Sequence, residues 1–313
     1  MSASPTLLLL VPVSWAPLWT IPLGKSGLRV IVHGRDEYRP EEIDYVLSFR
    51  PPPGMLKTLP RLKAVFSLGA GVDGFFIDPD YPKRIPLVRF VDKTLSTEMA
   101  QFVTLHVLMF HRHQRAFGEA QQKRNWAQMM LPRGTADTRI GILGLGEIGT
   151  VAGERLRDFG FPVSGWSRTR KQVSGIKSFA GDEELESFLG QSDIVICLLP
   201  LTPKTQGILN AQTFAQLPQG AYVINVARGG HLIEDDLIAA IDSGHLAGAT
   251  LDVFQTEPLP QTSPLWAHPK ITLTPHIAAI SGPGIATQFV VDGIARAERG
   301  EKLENVVDIE RGY

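Results

Sequence analysis

The stretch IGILGLGEIG, residues 140–149, decides the fold because it joins a short apolar strand to a glycine-rich turn and then to helix-forming sequence. That order of elements is typical of a dinucleotide-binding turn. Gly144 permits the tight reversal, Gly146 lets the main chain approach a pyrophosphate, and Gly149 lets the next helix, predicted over residues 151–159, pack close to the strand. A glycine-rich connector would explain the turn but not its flanking elements. The predicted cofactor contacts here are Gly144, Leu145, Gly146, Glu147, Ile148 and Gly149.

The segment after the next strand, predicted at residues 163–166, indicates which dinucleotide binds. NAD sites usually carry an acidic residue about 20 residues beyond the glycines, where it binds the ribose hydroxyls. No acidic residue lies between Asp158 and Asp182, and the strand is followed by SRTRK, residues 167–171. Guanidinium groups match phosphate oxygens, which favours NADP and leaves NAD as a second cofactor. The alternative is a solvated basic loop. The predicted contacts are Ser167, Arg168, Thr169 and Arg170.

Composition describes an ordinary globular chain. Its 313 residues are 43% hydrophobic and 20% charged, which allows two domains, and the net charge of −1 gives no support for a nucleic-acid or membrane partner. Residues 7–11 are predicted as a first buried strand, because the run is short and follows no basic residue. The single cysteine, Cys197, lies in an apolar run and is predicted to be buried. Without an apolar segment of transmembrane length, we expect a cytoplasmic protein.

Short apolar runs alternate with polar connectors along most of the chain, which is the rhythm of a parallel α/β fold. One long helix is predicted over residues 96–117, with Ser96 as its N-cap. A final helix is predicted over residues 284–300, followed by a polar tail that returns to the first domain. The predicted strands are residues 7–11, 28–32, 45–49, 64–68, 87–90, 140–143, 163–166, 194–198, 221–225, 248–252 and 271–274.

Three later loops carry chemical groups just past a predicted strand, where open α/β sheets bind ligands. Arg228 precedes two glycines, so the backbone can deliver it toward an anionic substrate, although a surface arginine in a turn is the alternative. Asp252 ends a strand ahead of Glu257, and His276 follows the last strand. Metal-ligand spacing is absent, and the helical histidines are interpreted as packing or surface residues: His106, His111 and His113.

The ordered motifs of this chain resemble those of the D-2-hydroxyacid dehydrogenase family, and most closely its glyoxylate/hydroxypyruvate reductase A branch. The resemblance covers nearly the whole chain. Besides the glycine turn, it rests on LGAGVD (68–73), LPLT (199–202), NVARG (225–229), LDVF (251–254), EPL (257–259) and TPH (274–276).

The resemblance implies an α/β fold in which a doubly wound, Rossmann cofactor domain of residues 98–284 is inserted into a flavodoxin-like substrate domain. The substrate domain would comprise residues 1–97 and 285–313. A homodimer would form through the helix of residues 96–117 and the loop around Trp126.

The same resemblance implies that Arg228 binds and polarises a 2-oxo acid, that His276 donates the proton, and that Glu257 orients and charges His276. Hydride reduction of a ketone creates negative charge on oxygen, which a cation stabilises and an imidazolium quenches. Asp252 would fix the nicotinamide amide. The other implied cofactor contacts are Leu199, Pro200, Thr205, Val226, Ala227 and His276, and the implied substrate contacts are Phe49, Leu68, Gly69, Ala70, Gly71 and Arg228.

The sequence thus predicts an NADPH-dependent reductase of small 2-oxo acids. The branch commonly has a Trp where Phe49 stands and often an Arg near Gly282, so the choice between glyoxylate, hydroxypyruvate and larger acids stays open. Two alternatives are a corepressor-like binding protein that senses dinucleotides and a phosphoglycerate dehydrogenase-like enzyme, which would favour NAD. The intact Arg228, Glu257 and His276 favour an enzyme over the binding protein.

Overall fold

Parallel strands form two separate sheets in the computed structural model, which describes residues 4–91, 93–128, 133–279 and 282–309. The chain divides into two units, one of Met1–Asp92 with Ser281–Tyr313 and the other of Lys93–Ile280. The predicted domain boundaries, at 97/98 and 284/285, lie within five residues of these divisions. Residues 93–97 fall in the second unit because they begin a helix that continues into it.

The first unit contains a five-stranded parallel sheet with the order β2-β1-β3-β4-β5, which is the flavodoxin-like order. Its strands β1, β3 and β4 are buried along their whole length. The helices Ala16–Leu23 and Pro283–Glu298 cover one face of the sheet, and the 3-10 turns Leu56–Thr58 and Asp73–Phe75 with their loops cover the other. The elements are β1 Thr6–Leu10, α1 Ala16–Leu23, β2 Arg29–Val32, β3 Tyr45–Ser48, β4 Ala64–Ser67 and β5 Leu87–Val88.

The second unit contains a seven-stranded parallel sheet with the order β12-β11-β10-β9-β6-β7-β8. The order reverses between β6 and β9, as in a doubly wound Rossmann sheet, so the predicted fold class is confirmed. The elements are α2 Lys93–His111, α3 Gln114–Gln122, β6 Ile140–Leu143, α4 Glu147–Asp158, β7 Val163–Ser167, β8 Lys177–Ala180, α5 Leu185–Leu189, β9 Ile194–Cys197, α6 Ala211–Gln216, β10 Ala221–Asn225, α7 Glu234–Asp242, β11 Leu246–Leu251 and β12 Ile271–Leu273.

The single long helix predicted over residues 96–117 is wrong. The backbone of His113 adopts a left-handed conformation with φ of 52°, which ends α2 and starts α3 in a new direction. Ser96 lies inside α2 with 1% exposure and is not its N-cap. The apolar pattern misled the prediction because it continues across the break. Strand β8 was also missed, since it is short and only half-buried.

The C-terminal segment returns to the first unit as predicted. Helix α8, Pro283–Glu298, buries Ala286, Val290 and Ile294 in the same apolar core as β1 and β4. The tail then pairs with β5, where the amide of Val307 donates to the carbonyl of Leu87 (2.8 Å). Among the described helices, none has both the length and the apolar character that crossing a membrane requires.

Candidate active site

The loops that follow β6, β7, β9, β10, β11 and β12 lie at one edge of the larger sheet, because parallel strands end on the same side. The reversal between β6 and β9 opens a crevice at this edge, where doubly wound sheets bind their ligands. All three residues predicted as catalytic come from these loops, and the predicted cofactor contacts lie in the loops, at the end of β7 or in the first turn of α4.

The glycine turn after β6 has the shape that a pyrophosphate requires. Gly144 has φ of +109°, and a Cβ on Gly149 would lie 1.9 Å from the carbonyl oxygen of Gly144. No heavy atom lies within 4 Å of a Cβ placed on Gly146, which is the N-cap of α4. The open main chain at this helix N-terminus therefore fits a dinucleotide phosphate. Helix α4 begins at Glu147, four residues before the predicted start at 151.

The basic loop after β7 is partly neutralised by Glu184, which sequence analysis missed. The Arg170 guanidinium donates to the Ser178 carbonyl and to Glu184 Oε1, each at 2.5 Å. Hydrogen bonds from the Ala180 amide and from Arg170 hold the pKa of Glu184 below its ordinary value. Arg168 lies exposed on the same loop. No sequence signal indicated Glu184, because the turn out of the unpredicted strand β8 brings it here.

Several predicted cofactor contacts can present only main-chain atoms or pack internally. The side chains of Leu199, Val226 and Ala227 are 8%, 4% and 7% exposed at the ends of β9 and β10. The Thr205 hydroxyl donates to the Pro200 carbonyl (2.7 Å), which folds the loop after β9 back on itself. A ligand at this edge would therefore contact the loop mainly through its backbone.

His276 and Glu257 form a hydrogen-bonded pair at the same edge. His276 Nδ1 donates to Glu257 Oε2 at 2.7 Å, while Glu257 Oε1 accepts from the Phe254 amide at 3.0 Å. The side chains of His276 and Glu257 are 48% and 35% exposed. Because Nδ1 is used by the carboxylate, His276 Nε2 is the nitrogen that can exchange a proton with a ligand.

The environment keeps Glu257 ionised. Partial burial by itself would raise the pKa of Glu257, but the hydrogen bonds from His276 and the Phe254 amide, together with the charges of His276 and Arg228, outweigh burial and lower it. The charged carboxylate can therefore accept the hydrogen bond from His276 Nδ1 and hold the ring in one orientation.

Arg228 reaches this pair because its turn packs directly on the Glu257 loop. A Cβ on Gly229 would lie 1.9 Å from the carbonyl carbon of Phe254, so only glycine allows the two backbones to approach this closely. The guanidinium of Arg228 donates to the Ala227 carbonyl at 2.7 Å, and its charge acts on Glu257. The structure thus brings Arg228, Glu257 and His276 together.

Asp252 lies behind His276, with only 1% exposure. Its Oδ1 accepts hydrogen bonds from the Thr274 hydroxyl (2.6 Å) and the Ile277 amide (2.9 Å), and its Oδ2 accepts from the Ala278 amide (2.9 Å). No role was predicted for Thr274. No sequence signal indicated one, because Thr274 becomes a neighbour of Asp252 only through the pairing of β11 with β12.

The predicted substrate loop belongs to the first unit. The Leu68 side chain is buried, and its amide donates to the Ser48 carbonyl (3.0 Å). Neither the side chain nor the amide of Leu68 is therefore available to a ligand. In the described ranges of the chain, the amides of Ala70 and Gly71 donate to no protein acceptor. Phe49 is 47% exposed, and its ring lies 3.5 Å from a Cβ placed on Gly69.

Cys197 and the buried histidines of α2 lie outside this chemistry. Cys197 is fully buried, which confirms the prediction of burial, and burial raises the pKa of its thiol to about 12. His111 packs edge-on against Phe161, and His106 accepts or donates a hydrogen bond with Thr250 (3.3 Å). The described residues contain no group of three or more His, Cys, Asp or Glu side chains that could hold a metal ion.

Comparison with known proteins identifies the family. The family model for the NAD binding domain of D-isomer specific 2-hydroxyacid dehydrogenases matches residues 104–278. This chain belongs to that family. The predicted resemblance is therefore confirmed, and the chain is an NAD(P)-dependent dehydrogenase.

Relatives of this dehydrogenase match it over most of its length. It is 45% identical to a glyoxylate/hydroxypyruvate reductase A from Yersinia enterocolitica, over 86% of this chain and 88% of the relative. A D-isomer specific 2-hydroxyacid dehydrogenase from Xanthobacter autotrophicus, solved in complex with NADPH and MES, has a TM-score of 0.93 and 44% identity, covering 99% of this chain and 100% of the other. A glyoxylate/hydroxypyruvate reductase from Sinorhizobium meliloti, solved with NADP and sulfate, has a TM-score of 0.91 and 38% identity over 99% and 100% of the two chains.

Proposed function

We propose that this dehydrogenase reduces small 2-oxo acids, among them glyoxylate and hydroxypyruvate, to 2-hydroxy acids with NADPH. The observation that carries the proposal is the 2.7 Å hydrogen bond between His276 Nδ1 and Glu257 Oε2, beside Arg228. This arrangement supplies a proton donor and a fixed cation in one place. The names of the relatives and the NADP-bound structures among them support the same reaction and cofactor.

Each catalytic side chain has a separate task in this reaction. Bound NADPH would supply the hydride to the carbonyl carbon. Arg228 holds the substrate and stabilises the negative charge that develops on the carbonyl oxygen. His276 transfers the proton on Nε2 to that oxygen, and Glu257 keeps the ring oriented and charged until the transfer. Reprotonation of the ring from solvent, to which His276 is half exposed, completes the cycle.

The cofactor site of this proposal is the edge of the larger sheet. The glycine turn holds the pyrophosphate at the N-terminus of α4. Arg168 and Arg170 provide positive charge for the 2′-phosphate, and Arg170 shares its guanidinium with Glu184. Main-chain groups of residues 199–200 and 226–227 line the crevice beyond. NADH lacks the phosphate that Arg168 would bind and therefore reacts more slowly.

The first unit is proposed as the substrate domain. The amides of Ala70 and Gly71 offer donors to the substrate carboxylate, and Phe49 forms an aromatic wall beside them. Amide pairs of this kind bind carboxylate oxygens without a counter-charge. The domain limits of the proposal remain residues 1–97 with 285–313 and residues 98–284.

A homodimer is also part of the proposal. Leu105 on α2 is 53% exposed and Trp126 is 92% exposed, so both offer apolar surface that a second subunit would cover. A cytoplasmic location completes the proposal, since a reductase that consumes NADPH needs a compartment that regenerates it.

A panel of 2-oxo acids assayed with NADPH and NADH tests the function. We expect turnover of glyoxylate and hydroxypyruvate, with a loss in kcat of roughly 10² to 10⁴ in His276→Ala. NADPH binding, measured by nucleotide fluorescence, should persist in that variant. Binding of NADPH without turnover of any acid in the parent protein would favour the corepressor-like alternative. A marked preference for NADH would favour the phosphoglycerate dehydrogenase-like one.

A further inference from the structure

The backbone of His276 is held in an uncommon conformation. Its φ is +55°, in the left-handed region that residues other than glycine seldom adopt. Such a residue persists only where its surroundings fix it, and these residues concentrate at active sites. The position of the imidazole therefore depends on whatever fixes the chain on each side of residue 276.

The hydrogen bonds that fix this segment converge on Asp252. Its carbonyl oxygen accepts from the His276 amide at 2.8 Å. Its carboxylate accepts from the amides of Ile277 and Ala278, each at 2.9 Å. Because Asp252 is 1% exposed, water does not compete for these bonds. Beyond the end of β12, the buried Asp252 carboxylate thus accepts hydrogen bonds in place of the backbone carbonyls of a neighbouring strand.

Thr274 fixes the acceptor itself. Strands β11 and β12 pair with Leu251 opposite Leu273, so Asp252 and Thr274 are the next residues on neighbouring strands. The Thr274 hydroxyl donates to Asp252 Oδ1 at 2.6 Å, which is a short, charge-assisted bond. The carboxylate can turn about its side-chain torsions, and this bond sets the direction in which its oxygens face the amides.

We propose that Thr274 is a positioning residue for proton transfer, acting through the Asp252 carboxylate on the backbone that carries His276. The proposal rests on the proposed function for its kinetic consequence. Removing the hydroxyl leaves Asp252 Oδ1 one donor short and frees the carboxylate to rotate away from the 277–278 amides. The left-handed turn then relaxes, and His276 Nε2 moves away from the carbonyl oxygen of the bound substrate.

Three isolated substitutions test this role. Thr274→Val removes the hydroxyl at nearly constant volume, and Thr274→Ser restores it. Thr272→Val is the matched control, because it also removes a threonine hydroxyl, at a position on β12. That hydroxyl accepts a hydrogen bond from Arg115 (3.2 Å) and does not bond to Asp252. For each, we measure kcat and KM with glyoxylate, the NADPH dissociation constant, the thermal midpoint Tm, and amide exchange at residues 277–278. Thr274→Ala serves as a second hydroxyl-free variant if the valine variant folds poorly.

We expect kcat to fall about tenfold or more in Thr274→Val, because a small misplacement of a catalytic group is costly. KM and the NADPH dissociation constant should stay within about twofold of the parent. Thr274→Ser should recover kcat, Thr272→Val should keep it, and exchange at residues 277–278 should rise only in the variants without the Thr274 hydroxyl. Parent-like kcat or unchanged exchange in Thr274→Val overturns the proposal, as does a kcat loss shared equally by Thr272→Val. Failure of the proposed function is distinguishable, because it appears as absent turnover in the parent while the exchange measurement still reports on the hydrogen bonds.

Discussion

At the scale of single residues, the chemistry depends on the charge states of three neighbouring side chains. Glu257 is partly buried, yet its pKa is lowered by the hydrogen bonds and positive charges around it. It therefore stays ionised as pH falls below the range where an ordinary glutamate begins to take up a proton. The negative charge of Glu257 therefore stays beside the His276 ring throughout the neutral and mildly acidic range. Reduction needs a proton donor in this range.

Glu257→Gln should lower the pH at which reduction fails on the basic side. The amide keeps a similar shape but removes the negative charge beside the imidazolium that donates the proton. The measurement is the pH profile of kcat/KM for the parent and the variant with glyoxylate. An unchanged basic limb would mean that a group other than His276 sets it. Loss of kcat should be milder than in His276→Ala.

Arg228→Lys should raise KM for the 2-oxo acid and lower kcat together. Lysine keeps the charge but loses the planar fork that can bind a carboxylate and its neighbouring carbonyl oxygen at once. Steady-state kinetics with glyoxylate and with an aldehyde that lacks the carboxylate provide the comparison. The anchoring role fails if the substitution has no kinetic effect, or if the parent reduces that aldehyde as efficiently as glyoxylate.

At the scale of elements, we expect the loop after β7 to set the preference between NADPH and NADH. Arg168→Asp should abolish or reverse a preference for NADPH over NADH that we expect to be about tenfold or more in kcat/KM. Such a factor needs only about 1.4 kcal/mol, less than one hydrogen bond to a charged group commonly supplies. Arg155→Asp, an exposed site on α4, is the charge-matched control. Equal efficiency of both nucleotides in the parent protein would contradict the assignment.

Arg170→Gln should leave most of the preference for NADPH in place. Its guanidinium is already bonded to Glu184 and to the Ser178 carbonyl, so only part of its charge is available to a phosphate. The values of kcat/KM with the two nucleotides, measured for the parent and the variant, check this expectation. Loss of the preference in Arg170→Gln would indicate that the phosphate displaces Glu184.

The close contact between the turn after β10 and the loop after β11 requires glycine at position 229. Gly229→Ala places a methyl group on the Phe254 backbone, which must move because backbone atoms cannot rotate away. Overpacking of this kind costs about 1–3 kcal/mol or more, so Tm and kcat should both fall. Gly118→Ala is the control, since it lies in helix α3 with no atom near the added Cβ. A Gly229→Ala enzyme as stable and active as the parent would show that this contact is not required.

At the scale of the whole molecule, the proposed homodimer uses the exposed apolar side chains of α2 and the loop beyond α3. Combining Leu105→Glu with Trp126→Glu should convert a dimer to a monomer, because charged groups cannot be buried there without partners. Light scattering coupled to size exclusion measures the mass. Leu18→Glu, at a 58% exposed position of the first unit, is the control and should leave the mass unchanged. A parent protein that is monomeric at micromolar concentration would rule the dimer out.

The sequence predicts the parallel α/β architecture, the glycine turn and the positions of Arg228, Glu257 and His276 after strand ends, because strand periodicity and strand-end motifs are local signals. Only the tertiary structure shows strand β8, the break at His113, the ion pair between Arg170 and Glu184, and the hydrogen bond from Thr274 to Asp252. These features depend on backbone torsions and on contacts between neighbouring strands, to which a pattern of residue types along one strand is insensitive. A hydroxyl and a carboxylate 22 residues apart become partners only when β11 and β12 pair in register.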